Sequence, residues 1–134
     1  MKYICLYSIV RFAPFAETEE FANVGIVLSA PAVGRMEYRL ARKDLKRVNQ
    51  FFECNSLFAM AMEIAQNELD VVQAMTKEAQ ESQIVNHFRF LTEPKESLVR
   101  FSPMRSILVE SFDSTLEELF DRYVDRRGLV GERG

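Results

Sequence analysis

The sequence is poor in the residues from which metal and nucleophilic sites are built. It has one histidine, His87, and two cysteines, Cys5 and Cys54, among 134 residues. These side chains are too few and too far apart for a structural zinc site or a disulfide framework. Each cysteine stands in an apolar stretch, which indicates structural burial, and His87 beside Phe88 is typical of a partly exposed surface histidine. We therefore expect no metal site, no cofactor and no catalytic residues.

Long apolar runs and a strong charge of one sign are also missing. No apolar run approaches the roughly 20 residues that cross a bilayer, and the N-terminus lacks the basic head and cleavage site of a signal peptide. The 17 basic and 20 acidic residues are mixed along the chain and give a net charge of −3. No strong field therefore directs the protein to nucleic acid or an anionic membrane. We expect a cytoplasmic protein without a membrane partner.

What the sequence does contain is material for one core. Hydrophobic residues make up 48% of the chain, and eleven of them are phenylalanines. The length fits one domain with a single continuous core. We predict one globular domain over residues 1–127 and a flexible C-terminal tail over 128–134.

Three strand patterns follow one another near the N-terminus. Residues 2–12 are rich in β-branched and aromatic types, residues 20–29 are apolar after a polar start, and residues 35–41 alternate strictly. Short connections favour an antiparallel meander, because a parallel return needs a longer crossover. Gly25 inside the second strand predicts a bulge or a close approach of two backbones.

Helical spacing dominates the rest of the chain. It predicts helices over 43–52, from Asn55 or Ser56 to about Glu81, and from a Ser82 cap to Pro94. Two short strands at 98–102 and 106–110 follow, and a capping box of Ser114 and Glu117 begins a last helix. The predicted fold class is α+β: an antiparallel sheet of three to five strands with the helices packed mainly on one face.

Polar residues at the open end of the first hairpin form a candidate site. Arg11 ends the first strand, and Glu20 and Asn23 begin the second. In an antiparallel pair these positions meet, so Glu20 is expected to pair with Arg11 and Asn23 to hydrogen-bond the neighbouring connection. Two interpretations stay open, since the same residues can brace the loop or line a binding cleft.

Two other features point to partners. Arg42, Lys43, Lys46 and Arg47 are the densest basic group. They are either the solvated face of a helix or a nucleic-acid contact, although no aromatic interleaving accompanies them. Met60 and Met62 widen the apolar surface of the long helix, which favours self-association or a protein partner.

Several motifs resemble a known family. They are Y-S-I-V-R-F-A-P at 7–14, E-x-x-N-V-G-I-V-L at 20–28, D-L-K-R-V at 44–48, F-R-F-L-T-E-P at 88–94 and L-E-E-L-F-D-R-Y-V at 116–124. The chain is similar to the bacterial and phage family called domain of unknown function 3037. Many relatives are encoded beside a HipA-like kinase, which implies a role in toxin–antitoxin or defence systems. The chain departs from the family at 104–107, where many relatives carry a histidine and a glycine.

The resemblance adds Arg89 to the candidate ligand site of Arg11, Glu20 and Asn23. Our first hypothesis is a non-enzymatic protein-binding or regulatory module, linked to a toxin–antitoxin or phage–host defence system and including a phage-encoded inhibitor. The alternative is a small-ligand or nucleotide-handling domain, with or without catalysis, in which arginine clamps phosphate and a carboxylate serves as base or magnesium ligand. A third hypothesis is nucleic-acid binding through the basic helix 42–47.

Overall fold

The computed structural model describes residues 1–42, 55–93 and 97–125. Their elements follow in the order β1 (Tyr3–Phe12), β2 (Ala22–Ala30), β3 (Arg35–Leu40), α1 (Asn55–Lys77), α2 (Glu81–Leu91), β4 (Val99–Phe101), β5 (Arg105–Val109) and α3 (Phe112–Phe120). Short 3₁₀ turns connect β1 to β2 and β2 to β3, and one π-helical turn, Asp121–Asp125, extends α3. The predicted helix at 43–52 and the predicted tail at 128–134 lie outside the described residues.

The strands form one antiparallel sheet in the order β3-β2-β1-β4, and β5 pairs with the same edge of β1 as β4 does. β5 pairs with the first half of β1, and β4 pairs with the second half. The Ser102 hydroxyl closes the gap between them, since it accepts a hydrogen bond from the backbone N–H of Ile9 at 2.8 Å. The predicted α+β fold with an antiparallel sheet of three to five strands is confirmed.

Gly25 lies at a bulge between β1 and β2. Val10 pairs with Gly25 but Arg11 pairs with Asn23, so Val24 is the extra residue on β2. A Cβ atom added to Gly25 would lie 2.6 Å from Leu40 Cδ2 and 2.9 Å from the carbonyl oxygen of Arg39 on β3. Glycine is required here by the close approach of β3, as its position within an apolar strand predicted.

The described helices pack on both faces of the sheet: α1 and α2 lie together on one face, and α3 lies on the other. α1 packs on the face that carries Phe12, whose ring centroid lies 5.1 Å from that of Phe58. α3 packs on the opposite face, because its partners Arg35 and Arg39 alternate along β3 with Tyr38, which contacts α1. We call these the α1 face and the α3 face. The prediction that helices pack mainly on one face is confirmed, and α3 covers part of the other.

The polar side of β3, predicted as half-exposed, is the docking surface for α3. The guanidinium of Arg35 lies 4.2 Å from the ring centroid of Phe112, and that of Arg39 lies 4.3 Å from Phe120. Each arginine also pairs with a carboxylate of α3, Arg35 with Asp113 at 2.7 Å and Arg39 with Glu117. The charges of these two arginines are therefore balanced within the fold.

Two helix starts differ from the prediction. The cap of α3 is Ser111, whose hydroxyl accepts from the N–H of Ser114, and not Ser114 itself. The cap of α2 is Gln80, whose N–H donates to Gln83, and not Ser82. Both helices therefore begin two or three residues earlier than predicted. No helix within the described ranges is long and apolar enough to cross a membrane.

Candidate functional site

Arg11 and Asn23 come together at the bulge on the α3 face. They are direct partners in the β1–β2 register. The side-chain amide of Asn23 donates to the carbonyl oxygen of Tyr123 at 3.1 Å, which ties β2 to the π-helical turn. The guanidinium of Arg11 lies 4.3 Å from the ring centroid of Phe21. Both side chains are thus held in place by the fold rather than displayed on a mobile loop.

Glu20 does not join them. Its side chain is exposed, its backbone N–H donates to the Thr18 hydroxyl at 3.3 Å, and the expected ion pair with Arg11 is not formed. Glu19 has left-handed backbone geometry with φ of 59°, which turns the chain so that the aromatic ring of Phe21 reaches Arg11.

Arg89 lies on the other side of the sheet. It donates to Asn86 on its own helix at 3.0 Å and borders a cavity with Ile4 and Leu6. Ile4 and Leu6 alternate along β1 with Cys5 and Tyr7, so they face away from Arg11. The four predicted ligand residues therefore do not share one cleft, and only Arg11 and Asn23 remain together.

Two tyrosines lie on the same sheet face as Arg11: Tyr7 is four residues earlier on β1, and Tyr123 is tied to Asn23, the β2 partner of Arg11. The hydroxyl oxygens of Tyr7 and Tyr123 are 3.4 Å apart. Burial raises the pKa of Tyr7, whereas the hydrogen bond between the two hydroxyls lowers the pKa of Tyr123. Arg105 is the partner of Tyr7 in the β1–β5 register, and its interaction with the Tyr7 hydroxyl raises the pKa of Arg105. The phenols and this guanidinium thus form one interacting group.

A third arginine completes the group. Arg100 lies directly opposite Arg11 in the β1–β4 register, and its Nε donates to the carbonyl oxygen of Ser97 at 3.2 Å. Burial lowers the pKa of Arg11, and the nearby charge of Arg105 lowers it further. In the described parts of the chain no carboxylate lies within 4.0 Å of these three guanidinium groups. We call Arg11, Arg100, Arg105, Tyr7 and Tyr123 the arginine–tyrosine cluster.

The sequence pattern pointed to Arg11 but not to Arg100, Arg105 or the tyrosines. These residues meet only because β1 pairs with two strands that lie about ninety residues further on. One signal was available: Pro103 separates two short strand patterns, and proline interrupts a strand because it has no N–H to donate to the ladder.

A second feature is an apolar groove between α1 and α2. The cavity has a volume of about 500 Å³ and is lined by Asn67, Glu68, Val71, Val72, Met75, His87, Phe90 and Leu91. Val71, Met75 and Phe90 are 60%, 45% and 68% exposed. Met60 and Ile64 continue this exposed stripe along α1, whereas Met62, expected to widen it, is buried in the core. We call this surface the α1–α2 groove.

His87 lines this groove and is partly exposed, as expected from the sequence. Its Nδ1 atom is buried and has no hydrogen-bond partner among the described residues. Of the predicted basic group, Arg42 is exposed, while Lys43, Lys46 and Arg47 lie outside the described residues. No group of three or more histidine, cysteine or carboxylate side chains is arranged to hold a metal ion in the part of the chain that the structure describes.

Comparison with known proteins places the chain in a family. The family model described as "Protein of unknown function (DUF3037)" matches residues 7–124, and the chain belongs to this family. This confirms the resemblance of the strand motifs and the C-terminal helix. No curated protein and no solved structure is significantly similar to the chain. Its function therefore has to be argued from the chemistry of its own side chains.

Proposed function

We propose that this member of the DUF3037 family is a non-enzymatic protein-binding module of the cytoplasm, and that its α1–α2 groove receives an amphipathic helix of a partner protein. The observation that carries the proposal is the exposure of Val71, Met75 and Phe90 around a cavity of about 500 Å³. Exposed apolar patches with polar rims mark interaction sites in soluble proteins.

The shape of the groove suits a helix. Val71 and Met75 are four residues apart on α1, and Phe90 on α2 forms the opposite wall. A groove between two helices accepts the apolar face of a third through side chains spaced by three or four residues. Methionine adapts to partner shape better than branched side chains do, which favours Met75 as a contact residue.

The charge of the helical hairpin defines the partner further. Residues 55–93 carry six carboxylates, Glu63, Glu68, Asp70, Glu78, Glu81 and Glu93, against Lys77 and Arg89. A second copy of the chain would bring two acidic surfaces together, which opposes self-association at this surface. A helix with apolar residues on one face and lysine or arginine at its flanks complements both the apolar lining and the negative charge of the groove.

Selection from a phage-displayed peptide library tests the proposal. With the wild-type protein as bait, we expect enriched peptides with apolar residues at helical spacing and basic flanks. The affinity of a selected peptide should fall by about tenfold or more in Val71→Ser and in Met75→Ser. The matched control is Leu108→Ser, because Leu108 is 58% exposed but lies on β5, away from the groove.

Two results would contradict it. One is a failure to enrich peptides of this pattern, and the other is equal affinity in the groove variants and in Leu108→Ser. Circular dichroism and thermal melting of each variant exclude unfolding as the cause of lost binding. A wild-type dimer that becomes monomeric in Val71→Ser, measured by light scattering, would make a second copy the occupant instead.

The resemblance to DUF3037 proteins supports a role of this partner contact in a toxin–antitoxin or phage–host defence system. Two observations test this role: the identity of the neighbouring genes, and the protein that is recovered with a tagged copy of the chain from its native host. A kinase recovered with the wild type and absent with Met75→Ser supports a toxin–antitoxin role. Recovery of a host defence protein with a phage-encoded copy supports an inhibitor. Recovery of only housekeeping proteins would contradict both roles.

A further inference from the structure

We infer that the arginine–tyrosine cluster on the α3 face binds the phosphate group of a small phosphorylated ligand, such as a mononucleotide. This site lies on the sheet face opposite the α1 face. The inference goes beyond the proposed function and does not depend on it.

The first argument is the uncompensated charge. Like charges directly opposite each other on paired strands are destabilising, and Arg11 and Arg100 are such a pair. On the same sheet face Arg35 and Arg39 each have a carboxylate of α3 as partner. The described residues thus balance the charges of Arg35 and Arg39 on β3 and provide no carboxylate partner for Arg11, Arg100 and Arg105. An anion bound at the cluster would reduce the repulsion among these positive charges.

The second argument is the chemistry of the donors. A guanidinium presents a planar fork of N–H groups that matches two phosphate oxygens, and arginine cannot act as an acceptor. The Nε atom of Arg11 is buried and has no hydrogen-bond partner in the described part of the protein. The hydroxyls of Tyr7 and Tyr123 lie beside Arg105, and the one that does not donate to the other can donate to the same anion. The cluster therefore supplies several donors on one part of the sheet, and among the described residues no carboxylate competes for them.

The third argument is the rigidity of the site. Arg11 stacks on Phe21 at 4.3 Å, and the π-helical turn that carries Tyr123 is tied to Asn23. The backbones of Arg100 and Arg105 are fixed by the pairing of β4 and β5 with β1. The Arg11 side chain, held in this way, loses little conformational freedom when a ligand binds, which favours affinity for a small anion.

The extent of the site favours a small ligand over a nucleic acid. Arg100 pairs with Arg11, Arg105 pairs with Tyr7 four residues earlier on β1, and the whole chain is acidic with a net charge of −3. A nucleic-acid surface has instead a basic stripe that follows many phosphates. The ligand class is therefore a phosphate ester or inorganic phosphate, which share the group that is recognised.

Thermal melting and calorimetric titration at constant ionic strength test the inference. The probes are inorganic phosphate, adenosine monophosphate and adenosine, with sodium chloride to match the ionic strength. Phosphate and adenosine monophosphate should raise the melting temperature of the wild type, and adenosine should not. Tighter binding of the monophosphate assigns the ligand as an ester, and tighter binding of inorganic phosphate assigns free phosphate.

Matched arginine variants locate the site. Arg100→Gln and Arg105→Gln should each weaken phosphate binding by about tenfold, the effect of one charged hydrogen-bond donor. Arg89→Gln is the control, since Arg89 lies on the α1 face. A wild-type NMR titration requires no variant to fold: amide signals of β1, β4 and β5 should shift and those of α2 should not.

Three outcomes would overturn the inference. They are the absence of phosphate binding by the wild type, equal binding by Arg105→Gln and Arg89→Gln, and tight binding of a short single-stranded oligonucleotide without any response to phosphate or the monophosphate. The groove variant Val71→Ser should keep full phosphate binding, so failure of the groove proposal and failure of this inference are distinguishable.

Discussion

Arg11 and Arg100 lie directly opposite each other on β1 and β4, with the charge of Arg105 close by and no carboxylate within 4.0 Å in the described residues. Folded proteins seldom bring like charges together without a compensating partner, because the repulsion lowers stability. The repulsion between Arg11 and Arg100 should therefore lower the free energy of unfolding even when no ligand is bound.

Arg100→Gln should stabilise the protein in phosphate-free buffer. It removes one charge from the cross-strand pair, which we expect to raise the free energy of unfolding by about 0.2–1 kcal/mol at low ionic strength. The gain should shrink as sodium chloride screens the charges. Urea unfolding at two salt concentrations measures it, with Arg89→Gln as the control. A loss of stability at low salt would show that Arg100 is balanced within the fold.

Gly25→Ala should destabilise the protein by about 1–3 kcal/mol, because the added methyl group overpacks the contact between β2 and β3. The new Cβ would lie 2.6 Å from Leu40 Cδ2 and 2.9 Å from a backbone oxygen that cannot move freely. Gly34→Ala is the comparison: its φ of 65° strains any side chain, but nothing lies within 4 Å. Denaturant unfolding should show the larger loss for Gly25→Ala, and equal losses would contradict the packing explanation.

Ser102→Ala should cost about 1–3 kcal/mol, because the buried N–H of Ile9 loses its acceptor. Ser8→Ala removes a donor to the carbonyl oxygen of Ser102 and should cost less, since an unmet carbonyl is tolerated better than an unmet N–H. Hydrogen exchange gives a local measurement. The Ile9 amide should exchange faster in Ser102→Ala than in Ser8→Ala, and the reverse order would contradict the assigned roles.

Tyr38→Phe should change the alkaline stability of the protein. Burial, and then the hydrogen bond to Asp70, raise the pKa of Tyr38 from 10.0 to about 12. The folded state thus keeps the Tyr38 proton over a pH range in which the unfolded chain releases it. The contribution of Tyr38 is complete below pH 10 and is lost as the pH rises through about 12. The difference in unfolding free energy between wild type and Tyr38→Phe should shrink from pH 9 to pH 12; a constant difference would show an unshifted pKa.

Sequence patterns were sufficient where local physics decides the structure. The alternation of β3 and the short connections to β2 predicted an antiparallel meander, and the glycine in an apolar strand predicted a bulge. The structure has both, with the bulge at Gly25. The long helix was also predictable from its apolar period, although its end at Lys77 was not.

The candidate site depended on pairings that no local pattern contains. Arg89 belongs to the same family motifs as Arg11, but only the tertiary structure shows that they lie on opposite faces of the sheet. Arg100 and Arg105 look like ordinary polar residues of two short strands until both strands pair with β1. Extra apolar surface on α1 was predicted from Met60 and Met62; Met60 is exposed, but Met62 is buried in the core, and Met75 is exposed instead.

NMR of methionine methyl groups tests the central claim, that the α1–α2 groove is a docking site, most directly. Met75 lines the groove, Met36 is buried in the core and Met104 lies at the other cavity. When a peptide selected on the protein is added, the Met75 methyl signal should shift in proportion to binding while those of Met36 and Met104 stay in place. A bound peptide that leaves Met75 unchanged would contradict the claim.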